Sequence, residues 1–128
     1  MKRILLCLMV ALFATGCLFA KNNDEKMNVM SYNIRYDNSG DKDNQWKFRR
    51  DFAADLVKFY EADVFGAQEV LNNQLNDLLN RLPEYAYVGV GREDGKTKGE
   101  YAPIFYRKDR FSVEKSGNFW LAEDINAI

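Results

Sequence analysis

A chain of 128 residues has the length of one domain or part of one, and 47% hydrophobic with 14% aromatic residues is the composition of a folded globular protein, which excludes disorder. The formal net charge of −1 excludes the broad positive footprint of an avid nonspecific nucleic-acid binder, although a local basic cleft stays open to it. Both cysteines, Cys7 and Cys17, fall within the first twenty residues, which leaves the rest of the chain with no disulfide framework and no thiol nucleophile.

Those twenty residues, MKRILLCLMVALFATGCLFA, carry Lys2 and Arg3 and then no charge until Lys21. That is the pattern of a secretory signal peptide over residues 1–20, since the uncharged run from 4 to 20 sits at the short edge of what spans a bilayer. Two processing sites compete. Ala14-Thr15-Gly16-Cys17 resembles a bacterial lipobox, which would place a lipid anchor on Cys17, while Leu18-Phe19-Ala20 before Lys21 suits an ordinary signal peptidase. Either route predicts an extracytoplasmic protein: secreted, periplasmic or lipid-anchored to the bacterial envelope. Removing Lys2 and Arg3 leaves 16 basic residues against 19 acidic ones, a formal charge of −3.

Residues 21–26, KNNDEK, read as a solvated tether, because six polar residues in a row bury no apolar surface. The fold is expected to fill 27–128. Residues 27–34 predict a first strand, and the loop RYDNSGDKDNQ follows over 35–45. In QWKFRRDFAADLVKFYEA the apolar positions Phe52, Leu56, Phe59 and Tyr60 recur at helical spacing, which predicts a helix with one apolar face; Trp46, at its start, is read as core. ADVFGAQEV holds a second strand near 63–68. A second helix follows on Leu71, Leu75, Leu78, Leu79 and Leu82, stopped by Pro83. Three strands complete the order β-α-β-α-β-β-β: 85–91, 101–107, and a last one in RFSVEKSGNFWLAE, where Phe119 and Trp120 are read as packing residues.

A strand, helix and strand in succession pair as parallel neighbours, so the first two strands should share a rim at their carboxyl ends, where sheets of this kind bind ligands. Asn33 and Gln68-Glu69 stand there. An amide oxygen beside a carboxylate is a hard oxygen set suited to Mg²⁺ or Mn²⁺. The bland reading is that Asn33 caps a turn and Glu69 caps the leucine helix.

SYNIRYD, ADVFGAQEV, GEYAPIFYRKDRF and SGNFWL, in this order, resemble the amino-terminal half of the endonuclease/exonuclease/phosphatase superfamily, in particular its secreted bacterial branch. The resemblance spans 27 to 122. It implies the first half of a four-layer α/β/β/α sandwich and Mg²⁺- or Mn²⁺-assisted hydrolysis of a phosphoester. It further implies that Asn33 orients the reacting phosphate or water, that Glu69 is a metal ligand, and that Glu100 supports a catalytic histidine. Arg35 stands where many nucleases of the family carry an acidic ligand, either as a departure in metal geometry or as a salt-bridging residue. The chain contains no histidine, and nothing after residue 122 resembles the family's later Gly-Asp-x-Asn and Ser-Asp-His segments.

The chain is therefore expected to be an amino-terminal fragment of a secreted metal-dependent phosphoesterase, inactive alone. Its substrate class is nucleic acid, phospholipid or inositol phosphate, and no stable protein partner is inferred. The alternative is a noncatalytic surface binding module that uses exposed aromatics. Arg92 is read as a solvated loop charge within reach of a substrate phosphate.

Overall fold

The structure, a computed structural model, describes residues 26–121 and 123–124. The signal peptide expected over 1–20, with Cys17, and tether residues 21–25 lie outside the described residues. Strand β1 (Val29–Asn33) comes first. The polar loop after it contains a short 3₁₀ segment, Ser39–Asn44, begun by the Asn38 side chain, which accepts the N–H of Gly40 at 2.9 Å. Then follow α1 (Trp46–Phe59), β2 (Val64–Gln68), α2 (Asn72–Arg81), β3 (Tyr85–Val88) and β4 (Ile104–Arg107). This is a mixed α/β fold.

The strands form one sheet in the order β1-β2-β4-β3. β1 and β2 run parallel with Val29 opposite Val64 and Asn33 opposite Gln68, as the crossover rule requires. β4 is antiparallel to both β2 and β3. Side chains alternate across the sheet. Met30, Tyr32, Phe65, Ala67, Tyr85, Tyr87 and Phe105 face the helices and form the core with them. Phe65 and Phe105 stack with ring centroids 4.5 Å apart, on neighbouring strands at paired positions. From α2, Leu75 and Leu78 close the core, with Leu82 just past the helix end. Trp46 is fully buried, and its Nε1–H donates to Asp77 Oδ2 at 2.8 Å, which ties the start of α1 to α2. The described residues thus make two layers, helices on one face of a sheet.

At the opposite end from the rim, buried Asp63 accepts the N–H of Asn28 at 2.8 Å and pairs with the Arg110 guanidinium. The Asn28 bond first, and Arg110 after it, hold its carboxyl below the usual carboxylate range.

Two expectations are corrected. In α1 the buried face is Trp46, Ala53, Ala54 and Val57, whereas Phe52, Phe59 and Tyr60 lie on the surface. The helix meets both the sheet and α2, and small side chains permit that close approach. The last strand is also absent: the described residues after Arg107 turn at 108–110 and form no strand through Leu121. β4 is already paired on both edges, so a segment returning from it cannot pair with it as a hairpin. Phe119 and Trp120 accordingly do not pack within a strand; Phe119 is exposed and Trp120 is half-buried.

Candidate active site

Strands β1 and β2 end side by side, and the Ile34 N–H extends their pairing by one bond, donating to Gln68 O at 3.2 Å. Both chains then turn through residues with positive φ, 55° at Arg35 and 60° at Glu69. A β-carbon disfavours that region, and non-glycine residues held there collect at functional sites.

The turns bring Asn33 and Glu69 together. Asn33 Nδ2–H donates to Glu69 Oε1 at 2.8 Å, and the Tyr36 N–H donates to Oε2 at 3.2 Å. Asn33 Oδ1 accepts the N–H of Arg35 at 2.8 Å. The amide therefore presents its nitrogen to the carboxylate, not the oxygen expected of a shared hard-oxygen set; its oxygen is taken by the turn. Glu69 does not cap α2 either, whose first N–H groups begin after Leu71. The Asn33 bond, and then the Tyr36 bond, hold the Glu69 carboxyl below the usual range.

A second set of bonds fixes the loop from which Tyr36 donates. Gln74, fully buried on α2, donates from Nε2 to Arg35 O at 2.8 Å. Its Oε1 accepts the N–H of Asp37 at 3.1 Å and that of Leu71 at 3.0 Å. Arg49 from α1 donates to Ile34 O at 2.8 Å. The Arg35 side chain turns outward to Asp41 and meets both carboxylate oxygens at 2.6 Å, so it salt-bridges the 3₁₀ segment.

Across the rim, Tyr101 bridges Val70, its N–H donating to Val70 O at 2.7 Å, and this brings the preceding residue, Glu100, to the same cleft as Glu69. Glu100 pairs with Arg92 at 3.3 Å. Trp120 Nε1–H donates to the Arg92 carbonyl at 2.9 Å, so the chain after β4 folds back onto the loop it left. Gln68, Glu69, Arg92, Glu100, Asn118 and Trp120 all border this open cleft of about 600 Å³. Arg92, expected as a solvated loop charge, is thus exposed but engaged.

A divalent metal fits one part of this arrangement. Glu69 offers an ionised carboxylate with lone pairs to spare, and Mg²⁺ commonly takes one or two carboxylates while leaving other positions to water and phosphate. Among the described residues no group of three His, Cys, Asp or Glu side chains could enclose a metal. The site suits a hard, open-coordinated cation and offers no closed cage.

No protein-family profile matches the chain. Among solved structures, an endonuclease/exonuclease/phosphatase from Bacteroides vulgatus is 54% identical with a TM-score of 0.75, the match covering 76% of this chain and 37% of that one. The chain belongs to the endonuclease/exonuclease/phosphatase family. It spans well under half of that relative and corresponds to the amino-terminal half of the family domain. A mannosyl-6-phosphatase from Bacteroides thetaiotaomicron is 44% identical with a TM-score of 0.75, over 77% of this chain and 38% of that one. Among curated proteins, the 3'-5'-exoribonuclease subunit Ccr4 of the CCR4-Not complex from Mycosarcoma maydis is 28% identical, over 70% of this chain and 16% of that protein. The proteins it resembles thus include both a phosphatase and an exoribonuclease subunit.

Proposed function

We propose that this chain is the amino-terminal half of an extracytoplasmic, metal-dependent phosphoesterase, and that it contributes Glu69 as a metal ligand, Asn33 as the group that holds Glu69 in place, and Glu100 as a supporting carboxylate. The observation that carries the proposal is the Asn33–Glu69 bond on the joined ends of two parallel strands. Mg²⁺ or Mn²⁺ bound there would neutralise charge on a substrate phosphate. Asn33 and the Tyr36 N–H fix the direction of the carboxylate and lower its affinity for a proton. Arg92 and Trp120 border the same cleft, where a cation and an aromatic ring suit a phosphate joined to a polyol or sugar. A phosphomonoester of that kind is the substrate class best supported, by the 44% identity to a mannosyl-6-phosphatase and by the acidic balance of the chain. Export follows from the leader over residues 1–20, with either lipidation at Cys17 or cleavage before Lys21.

A Mn²⁺ titration followed by electron paramagnetic resonance tests the assignment. Glu69→Gln keeps the shape and removes the charge, and is expected to weaken Mn²⁺ binding by about tenfold or more. Equal affinity in a folded variant would show that Glu69 is not the ligand. The chain has no histidine, so the same preparation is expected to bind Mn²⁺ without releasing phosphate from mannose 6-phosphate. Release that vanishes with Glu69→Gln would show a machinery complete without imidazole.

A further inference from the structure

Two of the exposed aromatic side chains, Phe59 at the end of α1 and Tyr60 just past it, adjoin each other at the end of the domain opposite the active rim, whereas Phe48 and Phe52 are exposed earlier along the helix. Phe59 is 77% exposed and Tyr60 57%, and their rings meet edge to face with centroids 5.1 Å apart. Tyr60 shares a groove with Met27, itself 54% exposed at the start of the described chain. Asn28 Nδ2–H joins the two segments by donating to Glu61 O at 3.2 Å. Exposed apolar groups that adjoin one another mark a contact surface, whereas scattered ones are ordinary.

We propose that this end of the domain rests on the lipid bilayer to which the chain is anchored, with Phe59 and Tyr60 entering the interfacial layer. The proposal rests on the anchored form of the export reading. What points to a bilayer as the occupant is the chain outside the described residues: an uncharged apolar run over 4–20 with Cys17 inside it, joined to Lys26 and Met27 by the five polar residues 21–25. Nine residue steps lead from Cys17 to Lys26, a reach of at most about 30 Å. So short a link presents the patch to the membrane at millimolar effective concentration. Two rings and a methionine, too few to hold a soluble protein on a vesicle, are then enough to orient a tethered one. Aromatic rings favour that layer, where an apolar body and a polar tip are both accommodated. Lys26, Lys58 and Glu61 border the adjacent surface, and Lys58 pairs with Asp55 at 3.5 Å, so the charges are of both signs. The contact is accordingly apolar and indifferent to anionic lipid.

An orientation for catalysis follows. α1 runs opposite to β1 and β2, so its last turn lies at their amino ends and Glu69 at their carboxyl ends. With Phe59 down, the rim faces away from the bilayer. The substrate phosphate then arrives from the aqueous medium and not from phospholipid in the anchoring leaflet.

The test uses the full chain, produced in a bacterial host and reconstituted into phosphatidylcholine vesicles with brominated acyl chains. Phe59→Trp and, separately, Tyr60→Trp add a fluorophore at the patch, and Phe48→Trp adds one on the same helix at the rim end; the unsubstituted chain supplies the background of Trp46 and Trp120. The expected result is flotation with the vesicles that Cys17→Ser abolishes. Emission added at 59 or 60 is blue-shifted and at least halved by the bromines, equally with and without anionic lipid, while emission added at 48 is unquenched. A chain that does not float overturns the anchor and the proposal with it. A floating chain whose added emission at both 59 and 60 is unquenched overturns the proposal alone. So does a blue shift that appears without lipid and grows with protein concentration, which would make the occupant a second copy of the chain.

Discussion

The amide of Asn33 has two partners that cannot exchange places. The Arg35 N–H requires an acceptor and the Glu69 carboxylate requires a donor, so oxygen and nitrogen are each assigned by what they face. The carboxyl of Glu69 owes its lowered proton affinity first to this bond and then to the Tyr36 N–H. A depressed carboxyl contributes stability at pH values above its unfolded value and loses it as pH falls through the folded one. Metal binding follows the same direction, since a proton competes with the cation only below that lowered value. Asn33→Leu removes the larger of the two causes. In Mn²⁺ titrations across the acid range, the pH at which binding is lost is expected to move upward in Asn33→Leu, with affinity at neutral pH much less affected. Superimposed acid limbs would mean that Asn33 does not tune Glu69.

Helix α1 shows how a correct element can carry a misread face. Phe52, Phe59 and Tyr60 dominate any hydrophobic average, yet the side turned to the sheet and α2 is made of Ala53, Ala54 and Val57. Periodicity weighs size, whereas close packing of three elements at one seam requires smallness. Opposite responses on adjacent turns follow from this. Ala54→Leu forces new atoms into a filled seam and is expected to lower stability by about 1–3 kcal/mol. Phe52→Ser, on a side chain 68% exposed, is expected to change it by no more than about 0.5 kcal/mol. Urea unfolding of both variants checks the pair, and the reverse ranking would return the apolar stripe to the core. In α2 the leucines alone carry the apolar signal, and there Leu75, Leu78 and Leu82 are buried where the spacing put them. The same contrast runs through the site. Asn33 and Glu69 were legible because each follows directly from where a parallel strand ends. Gln74 was not, because one buried glutamine within LNNQLNDLLN has no feature to separate it from its solvated neighbours. Trp120 was misplaced because its segment has strand-like aromatics but follows β4, whose two edges are already taken by β2 and β3.

At the scale of the molecule the sheet has one covered face and one bare one. Val29, Val64, Ala86, Val88, Ile104 and Tyr106 alternate with the core residues and point away from the helices, and the register sets Val29, Val64, Tyr106 and Ala86 in one row across all four strands. The next row sets Ile104, on an inner strand and 48% exposed, between Val88 and Gly66, with Ser31 beyond. A largely apolar sheet face of this kind packs on another sheet about 10 Å away. Burying it yields roughly 25 cal/mol per Å², so a few hundred Å² is worth several kcal/mol, on the order of a small domain's whole stability. With that face in water, the 128-residue chain is expected to bind a hydrophobic dye and to associate with itself, its sedimentation coefficient rising with concentration. Ile104→Lys places a charge at the middle of the face, where half the side chain already meets solvent and the fold loses little. That variant should sediment as a monomer at concentrations where the unsubstituted chain does not, while Phe52→Lys, on the helix side, leaves association unchanged. If Ile104→Lys associates as strongly as its parent, another surface drives the assembly; if the parent is a dye-silent monomer, the bare face is not available to water at all.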